Sequence, residues 1–572
     1  MTRPLPLASH RAFKGNQFVT KANTMTGKPI TTRASAADIL LVACSVILLG
    51  ALLYHHYKLI TFAVPLDYNE AGMLSVTATL LSGSNPYTFE NQPLHAVVYP
   101  VLYNILVAPL ASELGNTLPL HRAVAGLFIL MSCGILYLVS RRQRNSRIES
   151  LAASVLWYAA LLYYSTPIAS PNSLGVLLFI ASISIPWLYE FSNRSLLMAV
   201  GLGILAFYGK QYQIAGLGFI ALYLFVCVSK KRALLFGAGS LVAFVIILGL
   251  VTYTSPYFLD NTVFAVNSVT GSVSTYQTAF SQLLDFAGIY YPLLIIMVIH
   301  IARTAIGKGT STQGNEVERY VQTKGGTINL RKLDAPLLNR PLDYFWFCFF
   351  CSLLVIVLVI GKNPANHLTY LLQLMSPFLL LGCFRIVACS GKLKPLYYLL
   401  ITATFYLNFS MLSHDFSLQM KNWDKIKQLM SGADEIFAST LVLPELIRSG
   451  KPVYDNGHTR YFYYAEEKPP VFAHGSADQD ITQMWDRHVE RINAMIEAQE
   501  FDLLVLDQWM LLPKPSPRSD ARLDTQALLE NRYYRSESIR LNLANRPGGG
   551  PYIIQVWKPK SAPPAEQEPR EE

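Results

Sequence analysis

The chain is poor in charge. Only 15% of its 572 residues are Asp, Glu, Lys or Arg, while 52% are hydrophobic. Soluble domains carry about 25% charged residues, so this shortage excludes an ordinary water-soluble globule. The seven cysteines (Cys44, Cys133, Cys227, Cys348, Cys351, Cys383 and Cys389) all lie inside or at the ends of apolar segments, and the polar C-terminal region has none. No disulfide framework there can report an oxidising compartment. Cys348 and Cys351 form a CxxC inside FWFCFFCSLLVIVLVI, where packing is a plainer use than redox or zinc chemistry. There is no repeat of fixed period, and no metal-ligand spacing stands out. The excess positive charge (+10) is broken into short clusters between apolar runs. Such clusters speak for membrane topology, not for nucleic acid.

What the chain does have is a succession of apolar runs. Residues 37–57 can span the ~30 Å of a hydrocarbon core. They follow a basic tail, residues 1–36, which carries Arg3, Arg11, Lys14, Lys21, Lys28 and Arg33 with no acid before Asp38. This reads as a cytoplasmic tail before an uncleaved span, not as a signal peptide. Further runs at 120–140, 149–166, 173–190, 195–209, 212–229, 233–253, 281–302, 342–361, 368–389 and 395–413 bring the expected total to eleven spans. The loops alternate in character. SRRQRNSR (140–147), FSNRS (191–195), SKKR (229–232), Arg303–Pro341 and SGKLK (390–394) are basic, whereas 58–119, 165–173, 208–213, 254–280 and 361–367 hold little Lys or Arg. The positive-inside rule puts the basic set in the cytoplasm. Residues 96–112 contain Pro100 and Pro109 and would invert every later loop if they crossed. They are read as a helix lying along, or re-entering, the outer surface.

An odd number of spans leaves residues 414–572 outside. EIFAST (435–440), KPVYD (451–455), FDLLVLD (501–507) and YIIQVWKPK (552–560) read as strands, and 442–450 and 481–499 as helices. The fold expected is therefore an α-helical polytopic membrane protein, with a membrane domain over 37–413 and an extracytoplasmic α/β domain over 414–560. The Pro/Glu-rich end, 561–572, reads as disordered.

Polar residues then gather at one membrane face. Asp67 and Glu70 stand three apart in VPLDYNEAGML, directly after the first span. Tyr87, Tyr99 and Tyr103 follow in the same loop, Asn172 lies in IASPNS, and Lys210 and Gln211 sit in a tight hairpin. Lys362, Asn363, Asn366, His367 and Tyr370 lead into the tenth span. Charge near a bilayer is expensive and marks a functional candidate. Plainer readings exist for each. Asp67 and Glu70 resemble a capping box, Lys210 a snorkelling lysine, the tyrosines interfacial aromatics, and His367 a helix-start residue. Taken singly those readings are adequate. Taken together they leave unexplained why short loops on one side are so rich in functional groups.

The order of these pieces resembles the GT-C superfamily, multi-pass glycosyltransferases that use polyprenyl-phosphate sugars, such as the dolichyl-phosphate mannosyltransferases and the lipid A aminoarabinose transferase. The likeness covers most of 37–413. It rests on the acidic pair Asp67 and Glu70, on Gly83–Tyr87 as G-x-x-P-Y, on Tyr99–Tyr103 (YPVLY), on FYGKQ (207–211) and on GKNPANHLTYLLQLMSPFLLL. Of the family's Pro-Pro pair Pro100 is kept and Val101 replaces the second, and Asn172 stands where an acid is often found.

The resemblance implies an inner-membrane enzyme that moves a sugar from a polyprenyl-phosphate donor to a hydroxyl of a glycan, lipid or protein acceptor, with inversion. Asp67 would be the base, with Glu70 as helper or alternative base. Lys210, Gln211 and His367 would face the phosphate, and Tyr87, Tyr99, Tyr103, Asn172, Asn366 and Tyr370 would line the substrate site. No cofactor and no obligatory metal is expected. The alternatives are a transporter or flippase of a lipid-linked substrate and a non-catalytic assembly protein. Transporters place charges near the midplane and often show inverted repeats, and neither is visible here.

Overall fold

Ser35 starts the first helix with a capping box. Its Oγ accepts from Asp38 N (3.2 Å) and Asp38 Oδ2 accepts from Ser35 N (3.0 Å), which satisfies two donors that a helix start would otherwise leave bare. The computed structural model describes residues 35–67, 69–91, 97–163, 168–264, 275–306, 344–358, 367–410, 417–438, 440–455, 477–507, 525–541 and 552–560. Residues 1–34 of the basic tail, residues 307–341 of the long basic loop, Lys362, Asn363, Asn366 and the C-terminal tail lie outside the described residues.

The chain runs α1 (Ala36–Thr61), α2 (Asn69–Leu81), α3 (Leu102–Leu114), α4 (Leu118–Arg142), α5 (Arg147–Tyr163), α6 (Asn172–Leu188) and α7 (Asn193–Gly209). A 3-10 turn (Gln211–Ile214) leads into α8 (Ala215–Tyr223), and a π turn (Leu224–Val228) into α9 (Lys230–Thr254). After these come α10 (Thr275–Ile306), α11 (Tyr344–Leu358), α12 (His367–Leu374), α13 (Ser376–Ala388) and α14 (Lys394–Ser410). Where they are described, the eleven apolar runs lie mainly on helix. Among the described residues five helical stretches are long and apolar enough to cross a membrane: 36–61, 118–142, 211–228, 230–254 and 280–303. A sixth is added if α13 and α14, bent by 116° where they meet, count as one. The run expected at 368–389 is broken at Met375, ahead of Pro377. Helix α3 has 13 residues with Pro109 inside, roughly 20 Å of helix.

Apolar side chains from α1, α4, α5, α6, α8 and α10–α14 share one core, in which Leu52, Trp157, Phe179, Tyr290, Phe378 and Phe384 are all buried. One end of the bundle collects the C-terminal ends of α1, α5 and α7 and the N-terminal ends of α4 and α6. At the opposite end Glu149 of α5 meets Lys394 of α14 (2.9 Å) and accepts from Tyr398 Oη (2.9 Å).

The C-terminal part contains α15 (Ser417–Ser431), β1 (Ile436–Ala438), α16 (Leu443–Ser449), α17 (Ala477–Glu497), β2 (Leu503–Asp507), α18 (Thr525–Arg532), β3 (Tyr533–Leu541) and β4 (Tyr552–Pro559). The sheet order is β1-β2-β4-β3, with β1 and β2 parallel and the other pairs antiparallel. KPVYD is not a strand, contrary to expectation. Gly450 takes a left-handed conformation (φ 68°) after α16 and Lys451 N donates to Leu446 O (3.0 Å). That closes a Schellman-type cap, and Pro452 then offers no donor to a ladder.

This part does not stand apart from the helices. Trp423, Ile426, Met430, Leu441, Val442 and Leu446 share a core with Leu59, Phe62, Val64, Leu66, Ala71 and Ile168 of the bundle. The α/β part therefore packs on the segment that carries the acidic pair.

Candidate active site

Glu70 lies in the first turn of α2 and is completely buried, as is Arg122 in the second turn of α4. Arg122 Nε donates to Glu70 Oε1 (2.7 Å) and Nη2 to Oε2 (2.6 Å). Leu66 N donates to Oε2 (2.7 Å) and Ala169 N to Oε1 (2.9 Å). A carboxylate offers about four lone-pair positions, and here four donors take them. The remaining guanidinium N–H groups go to the carbonyls of Leu59 (3.1 Å), Phe62 and Val64 (2.9 Å). Glu70 thus ties the end of α1, the start of α2, α4 and the 168–169 segment together. Its oxygens are filled and it has no exposure, so in this structure it braces the segment that carries Asp67.

Asp67 precedes α2 and is buried, with Oδ1 accepting from both Asn69 N (2.8 Å) and Asn69 Nδ2 (2.7 Å). This Asx-type turn is part of what the capping reading foresaw, although the bond goes two residues on and not three. Lys210 ends α7, its N bonded to Ala206 O (2.7 Å). Its ammonium lies 3.6 Å from the centre of the Tyr99 ring, a cation–π contact. Tyr99 in turn is held by Tyr87, whose Oη donates to Tyr99 O (2.6 Å), and its own Oη donates to Asn69 Oδ1 (3.5 Å). Lys210 sits between helices, outside the spans. Burial pushes its ammonium pKa down to about 7, and the nearby Asp67 carboxylate acts to raise it. Asp67, Asn69, Tyr99 and Lys210 therefore form one connected group of acid, amide, aromatic and base, drawn from three stretches of the sequence and joined at one end of the bundle.

The other expected site residues divide. Gln211 Nε2 donates to Val98 O (3.1 Å) and Thr262 O (2.8 Å), so it staples the hairpin to the loop that presents Tyr99. Tyr87 is buried edge-on against Phe258 and positions Tyr99. Tyr103 is fully buried in the cluster that includes Tyr87, with its Oη donating to His121 O (2.8 Å). The Tyr370 ring lies 4.7 Å from that of Tyr212, whose Oη donates to Gln373 (2.8 Å). Asn172 opens α6, and His367 opens α12.

Asn69 and Arg122 were missed. Asn69 stood in plain view between the two acids. Arg122 carried the signal that a charge at the head of an apolar run always carries. Among the described residues no three His, Cys, Asp or Glu side chains converge as a metal site.

No model of a known protein family matches the chain, and no curated protein does. Its structural neighbours include two crystal structures of ArnT from Cupriavidus metallidurans. The one bound to undecaprenyl phosphate is 12% identical with a TM-score of 0.44, covering 89% of this chain and 97% of that one. The one in the apo state is 12% identical with a TM-score of 0.43 and the same coverage.

Proposed function

We propose that the protein is a membrane glycosyltransferase that moves a sugar from a polyprenyl-phosphate donor to an acceptor hydroxyl. The observation that carries this reading is the coupling of a buried carboxylate, Asp67, to a buried ammonium, Lys210, at the end of an apolar helix bundle. Transfer from a phosphate needs a base for the incoming hydroxyl and a cation for the outgoing anion. Asp67 takes the acceptor proton as its oxygen bonds to the anomeric carbon. The carbon–oxygen bond to phosphate breaks, the electron pair leaves with the phosphate, and Lys210 offsets the charge. A single displacement of this kind inverts the anomeric centre. Tyr99 holds Lys210 in place, and Glu70 with Arg122 holds the loop that carries Asp67.

The same reading supplies the topology. Eleven crossings place the N-terminus in the cytoplasm and put the Asp67–Lys210 end and residues 414–572 outside, where the segment 96–112 lies without crossing. The basic loops at the opposite end support that orientation.

The test is to supply radiolabelled polyprenyl-phosphate sugars to purified protein in detergent and follow transfer, in parallel with Asp67→Asn. Asparagine keeps the acceptor oxygen that Asn69 uses but cannot take a proton. The expected result is a folded variant with a transfer rate lower by about 10²-fold or more. Full activity in Asp67→Asn removes the base assignment, and failure to consume any labelled donor removes the transferase reading.

A further inference from the structure

Helices α6 and α7 meet through glycine. A Cβ built on Gly209 would stand 3.2 Å from the backbone N and Cα of Gly175, and one on Gly175 would stand 3.1 Å from Lys210 Cβ and 3.2 Å from Gln213 Cγ. The missing side chains let the stems of Lys210 and Gln213 lie directly on the first turn of α6. Gln213 is fully buried, and its Oε1 has no hydrogen-bond partner among the described residues. Asn172 stands three residues before Gly175, on the same helix stripe, and its buried Oδ1 has no partner among the described residues either. Native structures leave few buried polar groups unpaired, and each exception asks for an explanation.

The chemistry of the unpaired atoms narrows what could satisfy them. A phosphate accepts hydrogen bonds and brings no donors at its ionised oxygens, so it suits Lys210 and is repelled by carbonyl oxygens. Gln213 Oε1 and Asn172 Oδ1 are both acceptors and need a group that donates. A sugar hydroxyl supplies one.

We propose that Gln213 and Asn172 form a sugar-recognition subsite beside Lys210, binding ring hydroxyls of the donor while Lys210 faces its phosphate. The assignment rests on the donor reading above and adds to it the residues that distinguish a sugar-loaded lipid from a bare one. A site built to pair a hydroxyl rejects ligands that lack it, because its own polar groups are then left unpaired.

The experiment measures binding of undecaprenyl phosphate, and of undecaprenyl phosphate carrying glucose, galactose, mannose or arabinose, to full-length protein in detergent. The parent protein should bind its best sugar-loaded lipid at least about tenfold more tightly than the bare one. Gln213→Met, unbranched and of similar length, should abolish that preference while bare-lipid affinity stays within about twofold, which also serves as the folding control. Asn172→Leu repeats the reading from α6. A preference that survives both substitutions overturns the subsite and leaves the donor reading intact. Loss of bare-lipid binding in both variants overturns it as well. A parent that binds none of the lipids overturns both the subsite and the donor reading.

Discussion

Replacing Glu70 by glutamine separates framework from chemistry more sharply than any change at Asp67 alone. The carboxylate accepts from Arg122 Nε and Ala169 N on one oxygen and from Arg122 Nη2 and Leu66 N on the other. An amide presents an NH₂ to one of those pairs of donors and removes the charge opposite a guanidinium that has no solvent exposure. Breaking a buried pair from one side costs about 3–5 kcal/mol, chiefly from the charge left uncompensated.

Arg122→Lys offers an independent magnitude. The guanidinium uses five N–H bonds here, two to Glu70 and three to the carbonyls of Leu59, Phe62 and Val64. An ammonium brings three donors, so two acceptors go unpaired at about 1–3 kcal/mol each, or roughly 2–6 kcal/mol together. Thermal unfolding of the detergent-solubilised protein reads both losses. The expected pattern is a large drop in melting temperature for Glu70→Gln and Arg122→Lys, with Asp67→Asn unchanged. A Glu70→Gln protein that melts like the parent and has lost transfer would refute this division and make Glu70 the base.

Three further outcomes are expected. The Lys210 ammonium, depressed to about 7 by burial against the raising effect of Asp67, loses its charge in the free protein as pH rises through that value. Donor binding should therefore weaken above about pH 7, by up to about tenfold per pH unit. Lys210→Arg, which stays charged, should show a flat profile, Lys210→Ala should bind weakly at every pH, and a pH-independent parent counts against a phosphate role. Gly209→Ala places a methyl 3.2 Å from the Gly175 backbone, whereas Gly201→Ala enters open space. The first should cost about 1–3 kcal/mol and weaken donor binding, the second should do neither, and equal behaviour in binding assays would show that the glycine contact does not set the site. Deleting residues 417–572 uncovers Leu59, Phe62, Val64, Leu66, Ala71 and Ile168, so size-exclusion chromatography should show aggregation, and a monodisperse, active truncation would contradict the shared core.

That last expectation changes what a truncation means. Loss of activity on removing the C-terminal part would follow from exposing the Asp67 segment, with no chemistry needed in the α/β part itself.

The apolar runs were legible because crossing a bilayer demands length and apolarity, which no polar segment can imitate. The expected 120–140 and 233–253 became Leu118–Arg142 and Lys230–Thr254. Strands with continuous apolar character, such as FDLLVLD, were equally plain. β3, YYRSESIRL, was not. Its charges, alternating burial and register shift between Arg535 and Glu537 hide it among loops. At the site, Asp67 and Lys210 could be singled out as charges where charge is costly. Their connection through Tyr99 and Asn69 could not, since it depends on loops folding back over more than a hundred residues.

The two acids three apart have different partners. Three residues is nearly one helical turn, so an acid before the helix and one inside its first turn need not share a partner. Glu70 turns inward, accepting Leu66 N from the segment that leads into α2, while its partner Arg122 covers carbonyls at and just beyond the end of α1, namely Leu59, Phe62 and Val64. Helix ends leave such carbonyls unsatisfied, and the guanidinium serves the end of α1. A buried ion pair is a poor source of net stability compared with apolar packing, but an apolar pair could not cap that end and hold the loop after it. Its function here is to convert the join between α1 and α2 into a rigid loop. Asp67 sits on that loop, and its approach to Lys210 is therefore fixed by a network that ends 55 residues away at Arg122. On the proposed mechanism Glu70 acts on the reaction through the geometry it imposes on Asp67.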